Sequence, residues 1–82
     1  MLEKGAVVLS LAGRDKGRLL VVMGNEAGSA LVCDGKERPV ERPKRKNYRH
    51  LRPTGLSLDQ RMTAGNRVLR KALRTLDASE IA

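Results

Sequence analysis

The sequence predicts a mainly β fold, a small five-stranded barrel followed by a C-terminal α-helix, and three observations predict it. Short runs rich in Val and Leu recur through the first fifty or so residues, separated by glycine-containing turn signals. Pro39, Pro43 and Pro53 restrict the later runs to sheet edges and strand ends, because proline has no amide to donate to a ladder. Beyond Pro53 the apolar spacing changes from two to three and four, which is the period of an amphipathic helix. At 82 residues the chain has room for one small domain.

The elements follow in order. Val7, Leu9 and Leu11 alternate with Val8 and Ser10, which predicts a first strand with Val7, Leu9 and Leu11 on the core face. Residues 19–23 are apolar without alternation, as expected of a strand covered on both sides. Between them lies Ala12-Gly13-Arg14-Asp15-Lys16-Gly17-Arg18, a hairpin loop in which Gly13 and Gly17 supply the turn geometry. Residues 24–28 read as a turn and residues 29–33 as a third strand. Asp34-Gly35 is a two-residue hairpin signal, followed by a brief fourth strand over residues 37–41 and a fifth over residues 47–51. Five short strands with tight turns describe a partly open SH3-like barrel over residues 1–53.

Residues 54–82 form an extension. Thr54-Gly55 reads as a linker, and Ser57-Leu58-Asp59-Gln60 fits a capping box with one helical turn after it. A helix is predicted over about residues 64–76, with Thr63 as N-cap. In it Val68, Leu69, Ala72, Leu73 and Leu76 make one apolar stripe, and Arg67, Arg70, Lys71 and Arg74 take the remaining surface. That stripe packs on the open side of the barrel, docks on a protein, or leaves the arginines to lie along RNA. Residues 77–82 are expected to fray.

Charge is the strongest functional signal. The formal net charge is +8, and three quarters of it lies in residues 36–52. There Lys36, Arg38, Arg42, Lys44, Arg45, Lys46, Arg49 and Arg52 stand against Glu37 and Glu41. The hairpin loop adds Arg14, Lys16 and Arg18 against Asp15. Such a balance favours a polyanionic partner, nucleic acid before membrane. Tyr48 is the only aromatic residue, too few for a single-strand stacking platform. It reads as either a base contact or a half-buried core ring. Lys44-Arg45-Lys46 has a bland alternative, a solvated edge that blocks strand pairing.

Other classes lack support. The single cysteine, Cys33, allows no intramolecular disulfide and reads as a small buried side chain. His50 has no ligand partner nearby in sequence, so no metal site is expected. There is no nucleophile–histidine pairing, Walker loop or acidic cluster, so the chain is expected not to be an enzyme and to need no cofactor. The apolar residues 6–12 are too short and broken for a signal peptide or a span, so a cytoplasmic location is expected.

One stretch resembles a known family. Lys4-Gly5, the strand over residues 7–11 and Ala12-Gly13-Arg14-Asp15-Lys16-Gly17 are similar to the KOW motif of ribosomal proteins and transcription elongation factors. That motif has a small residue and glycine, two variable residues, then Lys-Gly. Leu20 departs from it where many members carry a second glycine. The departure points to the large-subunit ribosomal KOW protein of archaea and eukaryotes and its short bacterial relatives, which Ala30-Leu31-Val32-Cys33-Asp34-Gly35 and residues 42–51 also resemble. The resemblance covers roughly residues 4–53 and implies the same barrel. It further implies that the first hairpin loop and the late strands share one RNA-facing side. On that side Arg14, Lys16, Arg18, Lys36, Arg38, Arg42, Lys44, Arg45, Lys46, Tyr48 and Arg49 are the candidate RNA-binding residues. The expected function is a monomeric module that binds structured ribosomal RNA or a ribosomal particle by shape and charge, with ribosomal proteins as neighbours. The alternative is a protein-interaction module of the transcription elongation machinery, held on RNA polymerase by the barrel edge or the helix.

Overall fold

The computed structural model describes residues 1–76. The fold is mainly β with one helix at its end: β1 (Ala6–Ser10), β2 (Leu19–Glu26), β3 (Ser29–Cys33), β4 (Lys44–Asn47), β5 (Leu51–Ser57) and α1 (Asn66–Arg74). A single 3-10 turn, Tyr48–His50, joins β4 to β5. All neighbouring strands are antiparallel and form one sheet in the order β4-β3-β2-β1-β5. The two edge strands are therefore consecutive in the chain. Laid flat, they would stand four strand spacings apart, roughly 19 Å. A 3-10 turn advances only about 2 Å per residue, so the sheet curls enough to bring the end of β4 near the start of β5. The amide of Leu11 donates to the carbonyl of His50 and that of Tyr48 to Gly28, pinning the turn to both sides of the curl.

Both faces of the sheet bury side chains over its three central strands, β1 to β3. On one, Val7, Leu9, Leu19, Val21 and Cys33 pack against Leu69 and Leu73 of α1. On the other, Val8, Leu20, Val22, Ala30, Val32 and Leu51 form a second cluster, with Leu2, Ala6 and Tyr48 around it. Leu69 is wholly buried and Leu73 nearly so. Burial of each such leucine contributes about 1.5–3 kcal/mol, enough to hold a helix of only nine residues on the sheet. The unpatterned apolar run of β2 is covered on both sides, as its sequence predicts. The first strand differs from expectation: Val8 is as buried as Val7, and Leu11 lies past the strand end, 43% exposed.

The later elements depart further. No strand forms over residues 37–41, and β3 and β4 are joined by a loop over residues 34–43 in place of a tight hairpin. The carboxylate of Asp34 accepts from the amides of Lys36 and Arg38, which turns the chain away from β3. Pro39 and Pro43 then withhold two amides that a strand would need. Pairing resumes at Lys44, where a wholly polar strand is tolerated because it lies at the sheet edge.

The expected fifth strand over residues 47–51 is largely the 3-10 turn, and β5 runs on through Pro53 to Ser57. Pro53 pairs opposite Val8 on this second edge strand. Thr54-Gly55 is not a linker but an irregularity in the β1–β5 ladder. There the Thr54 hydroxyl donates to the carbonyl of Val7 and accepts from the amide of Leu56. Similarly, β2 continues through Gly24 to Glu26, leaving Ala27 and Gly28 as the turn.

Residues 57–60 cap no helical turn. The Asp59 carboxylate accepts from the amide of Met62 within a plain turn. The helix begins at Asn66 behind Gly65, which lends it no side-chain cap. Thr63 is not the N-cap; its buried hydroxyl donates back to the carbonyls of Asp59 and Gln60. The fraying expected of residues 77–82 lies outside the described residues. No helix among the described residues is long and apolar enough to cross a membrane.

Candidate nucleic-acid interface

The hairpin loop of residues 11–18 is folded by its own backbone. The amide of Gly17 donates to the carbonyl of Ser10, that of Lys16 to Gly13, and that of Arg18 to Asp15. Gly13 and Gly17 both take positive φ, 79° and 86°, a region that side chains disfavour. This winding turns Arg14, Lys16 and Arg18 to solvent and drives Asp15 inward, to 1% exposure.

Asp15 is the centre of the site. Its Oδ2 lies 3.3 Å from Nε of Arg38 and 3.7 Å from Nζ of Lys46. Lys46 reaches in from β4 and also donates to the carbonyl of Ala12 at 2.9 Å. Arg38 comes from the 34–43 loop, which a second ion pair fastens to the hairpin, Arg18 Nη1 to Glu37 Oε2 at 2.9 Å. One buried carboxylate thus gathers the hairpin loop, the 34–43 loop and the edge strand β4. A carboxylate removed from water needs such partners, since an uncompensated buried charge costs several kcal/mol, on the order of 3–5.

The eleven sequence-nominated residues are sorted by this arrangement. Arg14, Lys16, Lys36, Arg42, Lys44 and Arg49 are exposed, and none forms an ion pair among the described residues. Lys36, Arg42 and Lys44, with Arg38, line one shallow depression over Pro39 and Pro43. Arg18 is exposed but paired to Glu37, and Arg45 is exposed but 3.6 Å from Glu26. Arg38 and Lys46 face Asp15. Tyr48 is half-buried: its ring packs on the second cluster, and its hydroxyl donates to Asn25 Oδ1 at 2.6 Å. Asn25 also holds both backbone groups of Leu2, so Tyr48 is tied into the seam between the N-terminus and β2.

Three contributors escape a reading of the sequence. Asp15 registers there only as one negative charge among cations. Asn66, the first residue of α1, accepts from the amide of Val40 and donates to both Glu41 carboxylate oxygens, fixing the 34–43 loop to the helix. Gly35 (φ 81°) lets that loop pass against the helix, since a Cβ there would strike the carbonyl oxygen of Asn66. Arg70 and Arg74 are exposed on α1 beside Lys36 and Arg18, bringing helix cations to the border of the loop cations. Their i, i+4 spacing is legible in the sequence, but the side of the helix that meets the loops is not.

Among the described residues, no three His, Cys, Asp or Glu side chains come together as a metal site would need. Cys33 is buried, and its thiol is pushed up to about 11, first by burial and then by the nearby charges of Asp34 and Glu41. It is therefore protonated and unreactive at neutral pH. No protein-family model matches the chain, and no curated protein matches it in sequence.

Proposed function

We propose that this protein is a KOW-type RNA-binding module, an SH3-like barrel that holds structured ribosomal RNA or a ribosomal particle electrostatically and performs no chemistry. The observation that carries the reading is the glycine-framed loop around Asp15. It is wound so that its cations point outward while its one carboxylate binds the neighbouring basic segments from inside. Arg14 and Lys16 are displayed beside the Lys36–Lys44 region on loops already folded. Preorganised cations lose little further entropy on meeting a phosphate chain. The curl of the sheet, with its edges joined at Tyr48–His50, is what an SH3-like barrel requires. Contacts of this kind read shape and phosphate position and leave base sequence unread. A cytoplasmic, monomeric protein on the large ribosomal subunit fits this chemistry.

The rival reading, a docking module of the transcription machinery, uses the barrel edge or the helix. Leu69 and Leu73, the centre of the apolar stripe, are packed on the sheet, which leaves that reading chiefly the barrel edge.

The test is titration of the full chain with a structured large-subunit rRNA fragment over a range of salt. Each cation that neutralises a phosphate adds about 0.9 to the slope of log K against log salt. A variant with Arg14→Gln, Lys16→Gln and Lys44→Gln removes three exposed cations without touching Asp15, Arg38 or Lys46. Its slope is expected to flatten by roughly 2–3. An unchanged slope refutes the proposed surface.

A further inference from the structure

A groove of about 560 Å³ separates α1 from the two basic loops. Its floor is Leu19, Leu73 and Leu76, and its rims carry Arg18 and Lys36 on the loop side and Arg70 and Arg74 on the helix side. Arg70 and Arg74 are one helical turn apart, about 6 Å along the axis, so their side chains stand in a row above the floor. The only carboxylate lining it among the described residues, Asp34, is engaged by the amides of Lys36 and Arg38 through Oδ1. Lys36, Arg70 and Arg74, none of them ion-paired among the described residues, therefore border the cleft together with Arg18, which Glu37 already pairs.

The groove is continuous with the site described above through Lys36, which lines both this cleft and the depression over Pro39 and Pro43. Its position is fixed. Gly35 abuts the first turn of α1, and Asn66 ties that turn to Val40 and Glu41. An anion lying between Lys36 and Arg70 would thus meet groups held by packed elements on both sides. Arginine suits this setting because its planar fork donates two parallel hydrogen bonds to a phosphate.

We infer that this groove is a second phosphate-binding element, in which Arg70 and Arg74 of α1, with Lys36, grip the sugar–phosphate backbone of the same RNA. The inference rests on the RNA-binding reading and extends it. The helix closes the core with one face and lengthens the RNA footprint with the next. The footprint then runs from the 11–18 loop across the 34–43 loop to α1.

The experiment compares Arg70→Gln/Arg74→Gln with Arg67→Gln/Lys71→Gln in the full chain, by salt titration against the rRNA fragment, after circular dichroism has established that both variants are folded. The two remove the same charge from the same helix, but Arg67 and Lys71 do not line the groove. Loss of two phosphate contacts flattens the slope by about 1.8. The affinity advantage of the unsubstituted protein then shrinks roughly tenfold between about 50 and 200 mM salt. That result is expected for the groove variant, with a clearly smaller effect for the control. Equal effects would reduce the arginines to net charge and overturn the inference. So would an unchanged slope in the groove variant alongside a flattened one in the Arg14/Lys16/Lys44 variant, which would leave the RNA reading intact. Absence of RNA binding by the unsubstituted chain would instead overturn the parent reading, and the groove with it.

Discussion

Replacing Asp15 by Asn tests whether the site is built around one buried charge. The substitution preserves volume and leaves an oxygen to accept from Arg38, but it removes the charge that Arg38 and Lys46 share. Lys46 has a side chain only 9% exposed, so its ammonium, still bonded to the Ala12 carbonyl, would lose its sole carboxylate partner among the described residues. Arg38 is 22% exposed and keeps part of its hydration. The new amide also places an NH2 where Oδ1 now lies buried without a hydrogen-bond partner among the described residues. Removing one member of a buried ion pair costs about 3–5 kcal/mol, and the partial exposure of Arg38 moves the expectation toward the lower end, about 3 kcal/mol. In a domain of this size that corresponds to a fall of roughly 12–24 °C in Tm. Urea and thermal unfolding followed by circular dichroism measure it. A loss below about 0.5 kcal/mol, the level of an ordinary surface substitution, would refute the argument.

The same variant separates geometry from net charge. Asp15→Asn raises the formal charge from +8 to +9, so a purely global electrostatic attraction predicts tighter RNA binding. If Asp15 instead holds the loops that display the cations, affinity falls although the protein becomes more basic. The comparison is made at a temperature where the variant is folded.

Two further outcomes follow from the packing around Gly35 and Cys33. Gly17→Ala should cost only the penalty of positive φ, about 1–2 kcal/mol, because a Cβ there meets nothing within 4 Å. Gly35→Ala adds a collision with the first turn of α1, including the Arg70 amide at 3.0 Å, and should lose clearly more; equal losses in chemical denaturation would show that the close approach is unimportant. Cys33 makes stability fall at high pH. Its folded thiol is raised from 9.0 to about 11, so the unfolded chain ionises first, and the stabilisation is complete below pH 9 and lost as pH rises to about 11. The difference between the unsubstituted protein and Cys33→Ala should therefore change by about 3 kcal/mol across that interval; parallel pH profiles would contradict the burial of the thiol.

How much of this was legible in the sequence depends on where each element gets its stability. The first three strands are Val- and Leu-rich runs that bury side chains on both faces, and their composition alone announces them. β4 is Lys44-Arg45-Lys46-Asn47, with no apolar residue. It is a strand because β3 offers an open edge and because Lys46 reaches Asp15 and Ala12. Both causes are remote in sequence. β5 was obscured by Pro53 and Gly55, whose usual meaning as breakers is offset here by an edge position and by the Thr54 hydroxyl standing in the ladder. Glycine and proline signals mark irregularity well, but they do not say whether a strand ends or merely bulges. In the site, the exposed loop cations were readable from composition and spacing. The internal use of Arg38 and Lys46 was not, because a charge count treats every cation alike.

That distinction explains why a loop so rich in like charges can keep a fixed shape. Arg14, Lys16 and Arg18 repel one another across a few residues, and the 34–43 loop brings more cations beside them. Solvent screening weakens that repulsion at the surface, where charges are separated by water. The attraction to Asp15 acts beneath the surface, where screening is weaker and each ion pair counts for more. Added salt therefore relaxes the outer repulsion before it loosens the inner tie, and the loops keep their form at ionic strengths that would already weaken the proposed RNA contacts. A folded domain with a salt-sensitive interface is the physical consequence. Unfolding midpoints that stay level over the salt range in which RNA affinity collapses would follow from it. A fall in both together would mean that exposed ion pairs such as Arg18–Glu37, and not Asp15, hold the loops in place.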